Sequence, residues 1–386
     1  MGSRPAARRT VAEIRAILPA CLVLLAGCSS KNSARALRIE VPAPSLAGSR
    51  IPNAPLQPAL VLLPPGYDIG NKRYPVIYYL PGFRTDVDEY VNGAFDGFDL
   101  ARTLQRSVAS GAVRPCILVI VNGRNALGGS FYVDSPVTGA WETYVVNDVL
   151  PYVESRYRTL ETSEARGVAG ESMGGFGALR LAMQHAGLFG AVFALSPGLF
   201  DREGFETHWM LSAPYAAAWW MTVERMHSWP RVAAPERLVE LSASLQASER
   251  FGYRRGFLLA YGAAFAPVPN AGPPYVAYPI GRTGEVDGES LERFRSGYGA
   301  LEEKVQSQAE ALHELRGIGI DVGRNDRLAW IPRGARHFAD LLGQAGVDVT
   351  FTEHDGGHVD RLGERIESEM LPFFSRLLWA SEEARE

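Results

Sequence analysis

Val168-Ala169-Gly170-Glu171-Ser172-Met173-Gly174-Gly175 is the stretch that decides how this chain folds. An apolar run ends in Gly-x-Ser-x-Gly, and small residues at helical spacing (Gly175, Gly177, Ala178, Leu179, Leu181, Ala182) begin at once. The pattern predicts a strand that turns sharply into a helix and holds the Ser172 hydroxyl clear of the backbone. Glycines at 170 and 174 fit a turn that brings neighbouring backbone too close for side chains. In a chain with 40 glycines, three beside a serine carry little weight alone. The strand before them, the helix after them and the partners downstream supply the rest. The alternative reading is a glycine-rich turn with an idle serine.

A hydroxyl at neutral pH is a poor nucleophile, so Ser172 needs a base, an acid to hold that base, and donors for an oxyanion. Behind such an elbow the partners follow in the order serine, acid, histidine, which directs the search beyond Ser172. Val347-Asp348-Val349-Thr350-Phe351 reads as the last strand, and Thr352 to His358 as the loop after it. A helix pattern then opens with Val359, Leu362, Ile366 and Met370. His358 stands where the base belongs, behind two glycines that let the loop swing inward; His354, nearer the strand end, is the rival. Gly317-Ile318-Gly319-Ile320-Asp321-Val322 reads as a short buried strand that runs into Gly323-Arg324-Asn325-Asp326. Asp326 is therefore the candidate acid, with Asp321 and Asp355 as alternatives.

Two backbone N–H groups are expected at the oxyanion position. Met173 follows the nucleophile and gives one; Phe83 gives the other, because the strand pattern Tyr74 to Leu80 runs straight into Pro81-Gly82-Phe83. Pro-Gly alone signals only a turn.

These pieces together resemble a family of α/β-hydrolase esterases that includes esterase D (S-formylglutathione hydrolase), bacterial feruloyl and acetyl esterases, enterochelin esterases and the mycobacterial mycolyltransferases. The resemblance covers most of Ala59 to Leu199 and resumes from about Gly317 to Phe374. It rests on Tyr78-Tyr79-Leu80-Pro81-Gly82, Ser130-Phe131-Tyr132-Val133-Asp134-Ser135-Pro136, Gly139-Ala140-Trp141-Glu142, the elbow, Gly323-Arg324-Asn325-Asp326 and Gly356-Gly357-His358. It implies the same Ser172, Asp326 and His358, with Phe83 and Met173 at the oxyanion hole. Pro81 departs from the pattern, since many members have histidine or aspartate there.

Met1 to Gly27 reads as an export signal: Arg4, Arg8, Arg9 and Arg15 precede the short apolar run Ala16 to Ala26. Leu25-Ala26-Gly27-Cys28 resembles a bacterial lipobox, which implies cleavage before Cys28, diacylglyceryl modification of its thiol and a membrane anchor on the bacterial cell envelope. The alternatives are a signal peptide without lipidation and, less fitting because the run is too short, a transmembrane anchor. Residues 28–57, rich in Pro, Ser, Ala and Gly, read as a tether holding an early edge strand near Leu37–Val41. Residues 58–386 then form the catalytic domain. The formal charge of −4 and the lack of a basic run exclude a nucleic-acid partner. Of 3 cysteines only Cys116 lies beyond Cys28, so no disulfide is expected. No Cys/His cluster has zinc spacing, and neither metal nor cofactor is expected.

Apolar strand candidates at Ala59–Leu63, Val76–Leu80, Cys116–Val121, Arg166–Gly170, Ala191–Leu195, Ile318–Val322 and Val347–Phe351 alternate with helical segments at Leu100–Ser110, Trp141–Tyr157, Gly175–His185 and Arg336–Ala345. That alternation predicts an α/β fold, a doubly wound and mostly parallel sheet. Residues 201–315 are too long for a loop and read as a helical cap over Ser172. Arg237–Arg250 and Leu291–Leu315 look like its helices, and Pro267 to Pro279 like a linker. Trp209, Met210, Leu211, Tyr215, Trp219, Trp220, Met221 and Trp229 are expected either to line an apolar substrate cleft or merely to knit the cap to the core.

The function expected is a serine carboxylic-ester hydrolase, acting through an acyl-enzyme on a small-molecule, lipid or glycan ester. An acyltransferase using the same residues and a non-catalytic surface-binding lipoprotein are the alternatives. Oligomeric state is not legible.

Overall fold

The computed structural model describes residues 33–230, 232–248 and 250–378, the side chains of 250 and 251 excepted. The Cys28 and export-signal expectations lie outside the described residues. The strands are β1 (Arg35–Pro42), β2 (Leu56–Leu63), β3 (Val76–Leu80), β4 (Ile117–Val121), β5 (Asp134–Ser135), β6 (Gly139–Ala140), β7 (Arg166–Glu171), β8 (Ala191–Leu195), β9 (Gly317–Gly323) and β10 (Val349–His354). Eight of them form one sheet in the order β1-β2-β4-β3-β7-β8-β9-β10, and β5 pairs with β6 apart from it. β1/β2 and β2/β4 are antiparallel, and every pairing from β4 to β10 is parallel. This is the expected α/β-hydrolase architecture.

Parallel strands joined by helical crossovers are covered on both faces, which is why their sequences are apolar throughout. Val76, Tyr78 and Leu80 of β3 join one core with Val119 and Val168; Ile77 and Tyr79 point into the other with Leu118 and Ala169. On the second face lies Leu100–Ala109, whose start is fixed by Asp99 accepting from the Ala101 and Arg102 amides at 3.0 and 3.1 Å. Cys116 is buried at the start of β4, and burial pushes its thiol up to about 12, so it is unreactive core.

The edge strand expected near Leu37–Val41 is β1, which pairs along its whole length with β2 at the edge of the sheet, so the tether is shorter than residues 28–57. The last strand runs later than Val347–Phe351, since Val349 to His354 hold parallel register with Ile318 to Gly323; His354 is therefore the strand's last residue. Among the described residues no helix is long and apolar enough to cross a membrane.

Residues 201–315 are helical, but their helices begin and end elsewhere than expected. Ala213–Met226 and Arg250–Phe265 were not legible; Ala234–Ala247 replaces Arg237–Arg250. The single helix expected over Leu291–Leu315 is three, Gly288–Tyr298, Leu301–Ser307 and Ala309–Glu314. Ala300, in the left-handed region at φ 53°, makes the first break. The insertion rests on the body through Phe131, whose ring meets Phe257, Tyr261, Phe265 and Tyr298 at centroid distances of 5.3–5.7 Å. Ser135 Oγ adds a hydrogen bond of 2.6 Å to the Ala263 carbonyl.

Candidate active site

All the loops that matter leave the carboxyl edge of the parallel strands, where such sheets gather their functional groups. At the end of β7 the chain reverses through Ser172 with φ 57° and ψ −115°, and the helix Met173–Gln184 starts immediately. A non-glycine residue in that region is strained by roughly 1–3 kcal/mol and persists only where its surroundings fix it. Here the Ser172 amide donates to the Leu195 carbonyl at 2.9 Å, and its carbonyl accepts from Gly198 N at 3.0 Å. The flanking glycines follow from contact: a Cβ on Gly170 would sit 2.5 Å from Leu80 O, and one on Gly174 would run into the same oxygen.

Asp326 and His358 reach Ser172 from two interlocked loops. The Arg324 amide donates to the His354 carbonyl and the Asn325 amide to the Gly356 carbonyl, while Asn325 Nδ2 holds the Asp355 carbonyl at 2.8 Å. Gly323 makes this approach possible, because any Cβ there would strike the Gly356 and Gly357 carbonyls. The outcome is a continuous hydrogen-bonded line. His358 Nδ1 lies 2.6 Å from Asp326 Oδ2, and His358 Nε2 lies 2.9 Å from Ser172 Oγ. Asp326 is fully enclosed, and its other oxygen accepts from the Leu328 amide at 2.8 Å. With the proton on Nδ1 facing the carboxylate, Nε2 is left to accept from the serine hydroxyl.

The rivals fall elsewhere. His354 Nδ1 accepts from the Gly356 amide at 3.0 Å, and its Nε2 faces Asp321 at 3.9 Å. Burial and the nearby Arg365 lower its pKa. Asp321 is buried against Arg365, whose guanidinium also donates to Ser196 Oγ at 3.1 Å and to the His358 carbonyl at 3.4 Å. Arg365 thus holds the histidine loop from behind. Asp355 is exposed and pairs with Arg324 at 3.1 Å.

Phe83 and Met173 both have amides positioned by the elbow's neighbours. Met173 opens its helix, so its N–H has no partner within it. Among the described residues the Phe83 amide has no acceptor, while the loop around it is pinned on three sides. The Gly82 amide donates to Glu171 Oε1 at 2.7 Å, Tyr132 Oη donates to the Pro81 carbonyl at 3.0 Å, and the Arg84 amide donates to Gly128 O at 2.8 Å. Proline at 81 is accommodated because only its carbonyl is used.

Three supports were missed from sequence. Glu171 is buried beneath this loop and also accepts from the Tyr90 hydroxyl. Burial pushes its carboxyl up to about 7, while the Tyr90 and Gly82 hydrogen bonds pull the other way. A charge ending a buried strand was the signal that could have found it. Tyr132 is wedged where a Cβ on Gly177 would sit 2.5 Å from its ring, and both it and Phe131 have positive φ. Arg365 stands in an otherwise apolar helix pattern, beside Leu362 and Ile366.

Above the site, Phe83 meets Phe257 edge-on at 5.1 Å and Tyr253 at 6.0 Å, and Phe257 meets Trp209 at 6.1 Å. The other tryptophans do not share this wall. Trp219 stacks on Tyr278 at 4.9 Å, and Trp220 Nε1 donates to the Ile280 carbonyl at 2.8 Å, both within the insertion. Met221 is exposed.

The family described as Putative esterase matches residues 57–250. Esterase MT1326 and Esterase Rv1288 of Mycobacterium tuberculosis (strains CDC 1551 / Oshkosh and ATCC 25618 / H37Rv) are each 37% identical over 152 residues, which is 39% of this chain. The chain spans only 31% of the length of these curated relatives. Among solved structures, a ferulic acid esterase superposes with a TM-score of 0.55 at 21% identity, covering 90% of this chain and 99% of that one. The Staphylococcus aureus fluorophosphonate-binding serine hydrolase FphF gives 0.54 at 13% identity, covering 89% and 99%. At such identities the two structures share the fold. The match over half its length places the chain in the Putative esterase family.

Proposed function

We propose that this protein is a serine carboxylic-ester hydrolase that works through an acyl-enzyme at Ser172. The observation that carries the reading is the unbroken line from Asp326 through His358 to Ser172, at 2.6 and 2.9 Å, on a strained elbow. Ser172 Oγ attacks the acyl carbon and passes its proton to His358 Nε2, and Asp326 stabilises the imidazolium. The oxygen of the tetrahedral intermediate meets the Phe83 and Met173 amides, the latter at a helix N-terminus that favours negative charge. His358 then protonates the departing alkoxide, and water repeats the sequence to release the acid. Phe83, Tyr253, Phe257 and Trp209 form the apolar wall for the acyl group. The esterase names of the two mycobacterial relatives support ester rather than amide cleavage. The lipobox-like Leu25-Ala26-Gly27-Cys28 supports an exported enzyme held at the cell envelope.

The test is hydrolysis of p-nitrophenyl acetate together with labelling by a fluorophosphonate probe. Both should vanish in Ser172→Ala while the protein stays folded. Labelling that persists at another serine would refute the assignment. For the anchor, acyl-chain labelling should be lost in Cys28→Ser with the ester hydrolase released in soluble form; wild-type protein that takes no label at Cys28 removes the anchor from the reading.

A further inference from the structure

The rim of this site carries positive charge without matching carboxylates. Arg84 directly follows the amide assigned to the oxyanion, and its backbone is held at φ 70°. Its guanidinium lies 5.3 Å from the Tyr253 ring centre, and its Nε is buried without a hydrogen-bond partner. Arg327 directly follows Asp326; it is exposed and has neither ion pair nor hydrogen bond among the described residues. Arg254, next to Tyr253, lies over the Trp209 ring at 5.3 Å and, among the described residues, reaches the Tyr215 hydroxyl at 3.4 Å. Tyr253 is one of two rings, with Phe257, that meet Phe83; burial raises its phenol, and the charges of Arg84 and Arg327 pull it back.

The contrast with nearby arginines is direct. Arg324, three residues before Arg327, holds Asp355 at 3.1 Å, and Arg361 holds Glu364. Acids on the surrounding segments are already committed: Asp326 to His358, Asp86 to Arg124, and Glu171 beneath the loop to Gly82 and Tyr90. A guanidinium is a planar fork suited to carboxylate or phosphate, and unpaired charges lining a cleft raise the local concentration of the opposite sign.

We propose that the substrate is an ester bearing an anionic group, a carboxylate or phosphate, which Arg84 and Arg327 engage while the aromatic wall takes its apolar part. Arg254 extends the same positive rim. This rests on the hydrolase reading and names its substrate class.

The experiment uses matched ester pairs: p-nitrophenyl hydrogen glutarate against p-nitrophenyl valerate for charge on the acyl side, and 4-acetoxybenzoate against phenyl acetate for charge on the alcohol side. The ratio of kcat/KM, anionic over neutral, should exceed one for one of the pairs, and the winning pair assigns the side. Raising NaCl to about 0.5 M should collapse that ratio by screening. Arg84→Gln and Arg327→Gln should each lower it by about tenfold, and Arg327→Lys should restore part of it. The Ser172→Ala protein, titrated calorimetrically with the same esters, reads binding without turnover, and the anionic member should bind about tenfold tighter. Anionic members that are neither cleaved faster nor bound tighter at low salt overturn the proposal, as do variants that depress both members of a pair alike. Absent turnover of every ester with preferential anionic binding intact would instead reject the hydrolase reading alone.

Discussion

At the elbow and the loop after β9, the closest approaches are backbone against backbone; in the insertion of residues 201–315 most are backbone against side chain. Gly174 abuts Leu80 O, and Gly323 abuts the Gly356 and Gly357 carbonyls. In the insertion most tight glycines meet side chains: Gly262 faces Val276, and Gly297 faces Tyr261 and Phe265. A backbone contact has one solution, glycine, and it writes a fixed spacing into the chain. A side-chain contact has many solutions of similar volume. One region is therefore specified residue by residue, and the other by bulk.

The largest expected effects break the comparison at its rigid end. Ser172→Ala and His358→Ala should each lower kcat by about 10³-fold or more, and Asp326→Asn somewhat less, because the oxyanion donors remain. Thermal unfolding of the same variants should stay close to wild type. His354→Ala is the informative control: its ring supports the Gly356 amide and touches neither Ser172 nor substrate, so kcat should fall far less than in His358→Ala. Equal damage from the two would undo the assignment of the base.

Next in size is the insertion. Trp219 is buried against Tyr278, so Trp219→Ala should cost about 3–5 kcal/mol of stability, read by denaturant unfolding. Acetate and octanoate esters should suffer alike. A selective loss on octanoate would return Trp219 to the substrate cleft and contradict its contacts.

Glu171 sharpens the comparison through pH. Its carboxyl has an ordinary value of 4.5 in the unfolded chain and about 7 when buried under the loop of Gly82 and Phe83. Below about 4.5 both states hold the proton; between about 4.5 and about 7 only the folded state does, so stability falls as pH rises through that window. Linkage at 1.36 kcal/mol per pH unit makes this about 3 kcal/mol. Glu171→Gln cannot ionise and should flatten the profile; a profile unchanged by the substitution would show that Glu171 titrates normally.

Legibility followed the same division. The strand cores β3, β4, β7 and β8 were readable because burial on both faces leaves continuous apolar runs, and the elbow because Gly170 and Gly174 have no substitute. Asp326 and His358 were found by chain order, which the sheet's connectivity imposes. Glu171, Tyr132 and Arg365 were not found, since each acts through contacts made far along the chain, among them Gly82 to Glu171, Tyr132 to Pro81 and Arg365 to Asp321. No periodicity records such a pair. The helix Arg250–Phe265 escaped because its second half is buried all round, and Ala213–Met226 because apolar residues such as Met221 also stand on its exposed face, so neither shows a single apolar stripe.

The smallest effect tests whether the two regions meet at the substrate. Phe257 belongs to the insertion, yet its half-buried ring touches Phe83 at 5.1 Å and Phe131 at 5.6 Å, both in the body. If that junction receives the acyl chain, Phe257→Ala removes contact from the methylenes beyond the first few and leaves acetate nearly indifferent. A buried methylene contributes about 0.8 kcal/mol, so losing contact with two shifts kcat/KM for octanoate by roughly tenfold relative to acetate. The discrimination should appear in KM, because the wall binds ground state and transition state alike. Trp219→Ala, measured beside it, should leave the octanoate-to-acetate ratio where it was. The same ratio in both variants would mean that the aromatic junction only fastens the insertion to the sheet. A fall confined to Phe257 would mean that the loosely specified region sets chain length, while the tightly specified one carries out the chemistry.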